Sequence, residues 1–172
     1  SSESARRDLL DIHPDARATV KVWSFCSEIA DPLPPPRDPS EALGLPPFYL
    51  YVANQFWQHK DHLTLFRALV LLRERGIAPV VVCSGVEDDP RAPGYMETVR
   101  AFIRDNDLTA QVRLLGLLDR RDQLDVLRHC AGMVQPSRFE GWSTVVEDAR
   151  AVGRPLLLSD IEVHREQAPG GG

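Results

Sequence analysis

Lysine is nearly absent from this chain: only Lys21 and Lys60 interrupt a basic complement that is otherwise arginine. The bias reads as genome composition, and it singles out the position of Lys60. Cysteine is also scarce. Cys26, Cys83 and Cys130 are odd in number, widely spaced and contain no C-x-x-C. That argues against a disulfide framework or a zinc site and fits reduced thiols in a cytoplasmic protein. No apolar run approaches the ~20 residues of a membrane span, so no transmembrane segment is expected. The opening Ser1-Ser2-Glu3-Ser4 lacks the basic-then-apolar form of a signal peptide. A net charge of −5 argues against nucleic acid as a partner.

With 172 residues, the chain is long enough for one core and too short for two full domains. Residues 4–12 and 61–75 carry helical patterns, the second closed by Gly76, and residues 19–25 alternate enough for a strand. Seven prolines fall in residues 31–47, which read as a linker. Strands are predicted over 48–52, 79–83, 112–115, 132–134 and 155–158. Helices are predicted over 95–107, 121–130 and 144–152, with a polar loop over 86–93. Strands separated by helices imply right-handed crossovers: an α/β fold with a Rossmann-like parallel sheet flanked by helices. In such sheets ligands bind beyond the carboxyl ends of the strands. Residues 54–60, Ser84-Gly85, Gly116 and residues 137–144 converge there.

The most informative run is Pro136-Ser137-Arg138-Phe139-Glu140-Gly141-Trp142-Ser143-Thr144-Val145-Val146-Glu147-Asp148. It links a predicted strand to a predicted helix. A helix start offers unpaired N–H groups and the positive end of the dipole, a place for phosphate. Carboxylates beside it suit sugar hydroxyls, because an ionised carboxylate only accepts hydrogen bonds.

Pro-Ser-x-Phe-Glu-Gly-aromatic, followed by an acid and Ala-x-Ala-x-Gly-x-Pro, resembles the C-terminal domain of family-4 retaining glycosyltransferases, glycosyl transferases group 1. These enzymes have two facing Rossmann-like domains, the GT-B architecture. The resemblance covers roughly residues 48–168. It implies a donor-binding domain over 48–172, truncated at its C-terminus, with 1–30 as the tail of an acceptor domain and interdomain connection. The family's signature is two acids with seven residues between them. Glu140 matches the first, as the catalytic carboxylate that holds the transferred sugar. Asp148 holds the place of the second, usually Glu, as ribose ligand. Glu147 is the fallback, although Thr144-x-x-Glu147 is a capping-box pattern that turns Glu147 to the backbone.

The same resemblance places Lys60 at the family's diphosphate-binding Lys and puts Gln55 where an Arg usually stands. It also assigns Gly85, Arg138, Gly141, Trp142, Ser143 and Thr144 to the sugar and diphosphate, and Leu115 and Gly116 to the nucleobase. Residues 160–166 resemble the loop after the fifth strand. The implied substrate is a nucleoside-diphosphate sugar, a GDP- or UDP-sugar, with no cofactor and no metal. The implied partner is the N-terminal acceptor domain of the same parent chain. Relatives that build polysaccharides or glycolipids leave open a parent at the inner face of the membrane.

Each assignment has a plainer competitor. Glu140 can cap a turn, Asp148 can be a first-turn acid, and Ser143 and Thr144 are common N-caps. Lys60 and Arg138 can be solvated cations. His59 and His62 lack further ligands at metal spacing. Gln55 and Asp148 also motivate an alternative: a nucleotide-sugar-binding domain without transferase activity. A further alternative is another enzyme on the same scaffold, an epimerase or phosphorylase.

Overall fold

A computed structural model describes residues 1–15, 17–27, 29 and 35–170. Five strands form one parallel sheet: β1 (Leu50–Ala53), β2 (Val81–Ser84), β3 (Val112–Leu114), β4 (Gly132–Gln135) and β5 (Leu156–Leu158). Their order is β3-β2-β1-β4-β5. The chain winds outward from β1 through β2 to β3, then crosses back to place β4 on the other side of β1. The strand order therefore reverses between β1 and β4, which opens a crevice at their carboxyl ends.

The strands are short apolar runs because both faces of the sheet are covered. Seven helices are described: α1 (Glu3–Ile12), α2 (Pro39–Leu43), α3 (His62–Glu74), α4 (Tyr95–Asp105), α5 (Arg120–His129), α6 (Thr144–Ala151) and α7 (Glu162–Gln167). Val52, Cys83 and Val134 pack with Phe66 and Leu69 of α3 and Val99 and Ile103 of α4. Tyr51, Ala53, Val82 and Met133 point the other way, toward Val126 and Leu127 of α5 and Val146 and Ala149 of α6. The period-2 alternation of the strands thus divides the core into two apolar layers.

Three sequence expectations are corrected. Residues 19–25 form no strand; they lie outside any element and are largely exposed. Alternation alone does not make a strand: these residues pair with neither open edge of the sheet, at β3 or at β5. Within the expected linker, residues 39–43 are helical. Asp38 caps that helix by accepting the Ser40 amide, Pro39 occupies its first turn, and Gly44 at φ +61° ends it. Arg37 donates to Asp122 and Asp125, tying this segment to α5. Residues 31–34 of the expected linker lie outside the described residues. The third correction concerns residues 160–166, expected as loop, which contain most of α7. It buries Val163, His164 and Gln167 and accepts α1, whose Glu3 and Ser4 amides both donate to Glu166 at 2.8 Å.

A short 3-10 turn, Gln58–Lys60, leads into α3 through Asp61 at φ +53°. His62, the first residue of α3, is fully buried and stacks on Phe56 with ring centroids 4.3 Å apart. Neither ring nitrogen has a hydrogen-bond partner among the described residues. Burial, reinforced by the Lys60 charge, pushes its pKa from 6.5 down to about 4. The unfolded chain then binds more protons than the folded one between about pH 6.5 and pH 4, so His62 lowers stability as pH falls through that window. Replacing His62 by Leu removes this contribution, on the order of 3 kcal/mol at full extent. Urea melts at pH 7 and pH 4.5 should show a smaller acid loss in His62→Leu than in the unmodified chain. An equal loss would refute the assignment.

Candidate functional site

The loops after β1 and β4 meet at the crevice. Gln135, the last residue of β4, is fully buried and joins them. Its Oε1 accepts from Asn54 Nδ2 at 2.8 Å. Its Nε2 donates to Glu140 Oε1 at 2.7 Å and to Ser143 Oγ at 3.2 Å. One amide therefore fixes the end of β1, the acid of the turn and the cap of α6. Glu140 also accepts from Lys60 Nζ at 2.7 Å, with the two side chains only 8% and 13% exposed. At that depth the pair is weakly screened and each charge depends on the other.

Ser143 is the N-cap of α6, its Oγ accepting the Val146 amide. This corrects the expected capping box: Thr144 is not the cap and Glu147 does not return to the backbone. Glu147 instead accepts from Gln167 Nε2 at 2.9 Å and from Arg150 at 3.3 Å. Gln167 also exchanges hydrogen bonds with the backbone N–H and C=O of Ser143. Glu147 thus locks α7 against α6. The amides of Thr144 and Val145 lie in the first turn, where no intrahelical carbonyl can serve them.

A cavity of about 270 Å³ opens over these groups, lined by Gln55, Lys60, Glu140, Trp142, Ser143, Thr144 and Asp148 among the expected residues. Asn54, Trp57, Arg120, Gln123 and Val145 also line it. Asp148 is buried and receives a two-pronged fork from Arg120, Nη1 to Oδ2 at 2.5 Å and Nη2 to Oδ1 at 2.7 Å. The Ser27 hydroxyl donates to the same Oδ1, while Trp142 Nε1 donates to the Phe25 carbonyl at 2.8 Å. The segment before residue 28 therefore crosses the cavity rim. Gln55 Oε1 accepts from the Val86 amide, which leaves its NH2 as its donor group.

Other expected residues sit outside this lining. Arg138 forks onto Asp61 at 2.8 and 2.9 Å. Burial pushes the Asp61 carboxyl up, but the Arg138 fork and the Thr64 hydroxyl outweigh it and hold it below its usual range. Gly85 has a backbone reason to be glycine: at φ +150°, a Cβ there would lie 2.1 Å from the Asn54 carbonyl oxygen. Its amide donates to the Gly116 carbonyl at 2.8 Å, so Gly85 and Gly116 join the loops after β2 and β3. The Leu115 amide is held by the Cys83 carbonyl. Gly141 lies within the turn and does not line the cavity. Burial lowers the pKa of His59, with help from Lys60 and Arg91.

Sequence reasoning did not single out Gln135 or Arg120. The polar Gln at a strand's carboxyl end was the available signal for the first. Nothing local marks the second, because its partner is on another helix. A larger cavity of about 520 Å³ runs along β5 and α7. It has neither the buried ion pair nor the α6 N-terminus. Among the described residues no cluster of three His, Cys, Asp or Glu is placed to hold a metal, and no helix is long and apolar enough to cross a membrane.

Residues 37–170 match the family Glycosyl transferases group 1. The chain is 32% identical over 106 residues to "Putative glycosyltransferase EpsF" of Bacillus subtilis (strain 168), covering 62% of this chain and 26% of that protein. It is 27% identical over 116 residues to the N,N'-diacetylbacillosaminyl-diphospho-undecaprenol alpha-1,3-N-acetylgalactosaminyltransferase of Campylobacter jejuni, covering 67% of this chain and 27% of that protein. The chain spans about a quarter of the length of these relatives. Among solved structures, the pneumococcal O-GlcNAc transferase GtfA, in complex with UDP and GlcNAc, aligns with a TM-score of 0.67 at 16% identity. That alignment covers 96% of this chain and 30% of that one. The structural neighbours are GT-B glycosyltransferases, which places the Rossmann-like sheet in that architecture.

The Lys60–Glu140 pair gives a direct stability test. Lys60→Ala leaves a nearly buried carboxylate without its cation and should cost about 3–5 kcal/mol in urea unfolding. Adding Glu140→Gln should recover part of that loss, because the stranded charge is gone. Additive losses would show that the two side chains do not interact.

Proposed function

Because the chain belongs to the glycosyl transferases group 1 family, we propose that it is the donor-binding, C-terminal half of a family-4 retaining glycosyltransferase. The observation that carries this reading is the buried Lys60–Glu140 pair beside the α6 N-terminus, at the sheet's switch point. The donor is a nucleoside-diphosphate sugar, and UDP in the GtfA complex favours a uridine nucleotide. Lys60 turns from Glu140 to the diphosphate, joined by the first-turn amides of α6, and stabilises the leaving group as its charge develops. Glu140, released, accepts hydroxyls of the transferred sugar and stabilises its cationic transition state. Trp142 walls the sugar pocket, and Asp148 accepts ribose hydroxyls. Leu115 and Gly116 present backbone to the nucleobase. No metal takes part.

The acceptor site lies on an N-terminal domain of the parent chain, and closure of the two domains completes the active site. The 172-residue chain therefore binds nucleotide without transferring sugar. The parent works in the cytoplasm, and its acceptor sets whether it docks at the membrane's inner face.

Thermal unfolding with UDP, GDP and ADP tests the donor site. At about 100 times the dissociation constant, binding adds about 2.7 kcal/mol, a midpoint rise of about 5–10 °C. The rise is expected with one nucleotide and should be lost in Lys60→Ala. No rise with any of the three would overturn the assignment of this half as the donor-binding unit. In the parent protein, Glu140→Gln should abolish transfer while retaining nucleotide binding. Unchanged transfer by that variant would overturn the role of Glu140.

A further inference from the structure

We infer that Arg120 is the second cation of this site: donor binding exchanges its guanidinium from Asp148 to the diphosphate and frees Asp148 for hydroxyls. The inference rests on the donor-site reading and adds a residue to it.

The described cations lining the cavity are Lys60 and Arg120, and the carboxylates are Glu140 and Asp148. Each cation is held by one of those carboxylates. The cavity is thus neutral in its side chains when empty. A nucleoside-diphosphate sugar brings roughly two further negative charges. With the two carboxylates still ionised, Lys60 and the partial charge of one helix terminus leave this excess largely uncompensated. No other arginine lines the cavity among the described residues. Arg138 is forked onto Asp61, and Arg91 lies over the Trp57 ring at 4.8 Å while also donating to Asp89.

An ionised carboxylate has about four lone-pair sites. Asp148 already accepts two bonds from Arg120 and one from Ser27. It cannot take two ribose hydroxyls while that set persists. Something must leave, and a guanidinium leaves at little cost only if another anion receives it.

Arg120 is the first residue of α5, capped by Asp119. A cation in that turn opposes the helix dipole, so local helix stability does not account for it. Its side chain is half exposed, whereas that of Asp148 is 3% exposed. The guanidinium is therefore the accessible member of the pair, and its planar fork suits phosphate oxygens. Asp148 and the first-turn amides of α6 are on the same helix, which places the fork within the same cavity as the helix terminus.

Calorimetric titration of the chain with the nucleotide that stabilises it, and with the matching phosphate-free nucleoside, tests the assignment. Arg120→Gln should weaken nucleoside-diphosphate binding by about 10- to 100-fold while leaving nucleoside binding unweakened or tighter, because Asp148 is then free for the ribose. An equal loss for both ligands would mean that Arg120 only positions Asp148 and would overturn the proposal, as would no loss. Arg120→Lys keeps the charge and breaks the fork, and it decides the matter if Arg120→Gln does not fold. It should retain most of the preference for the diphosphate, and collapse of that preference would count against a charge contact. Absence of any nucleotide binding by the unmodified chain would instead overturn the underlying donor-site reading.

Discussion

The buried amide of Gln135 is the constraint on which the crevice depends. It sits where β4 ends and holds Asn54, Glu140 and Ser143 at once. Those residues belong to the end of β1, the turn after β4 and the cap of α6. Water is excluded there, so each of its bonds must be satisfied within the protein, which fixes the relative placement of three segments. The Lys60–Glu140 pair is built on that frame. Lys60 arrives from the β1 loop through the 3-10 turn and donates to the same Glu140 Oε1 that Gln135 holds.

The second organising feature is the pairing of opposite charges around an open cavity. Lys60 with Glu140 and Arg120 with Asp148 form two cation–carboxylate pairs on the walls of one space. Such pairs contribute little net stability compared with apolar packing, since desolvation offsets most of their attraction. They do make a site whose charges can be redistributed toward an anionic ligand. The rest of the fold supplies rigidity: two apolar layers on the sheet faces, and Glu147 joining α6 to α7 through Gln167.

Much was legible in the sequence. The β-branched runs and intervening amphipathic segments specified an α/β parallel sheet, because strand and helix periods are local properties. Clusters of Gly, Ser and acidic residues after the strands marked the face where a ligand would sit. What misled was also local in origin. Prolines around position 39 suggested a linker, yet Pro39 is well placed in a helix's first turn. Thr144 and Glu147 fit a capping box, yet Ser143 is one residue closer to the turn, and Gln167 claims the Glu147 carboxylate from 20 residues away.

The sequence by itself determined the five strands of the sheet, the helices between them, the parallel winding and the identity of the Phe139-Glu140-Gly141-Trp142 turn, since short-range periodicity and turn chemistry encode them. Only the tertiary structure decided which charges face one another. Lys60 meets Glu140 across 80 residues, Arg120 meets Asp148 across 28, and Arg138 turns away to Asp61 across 77. Ion pairing depends on distance and burial, and neither exists until the sheet has assembled and its loops have closed over the crevice.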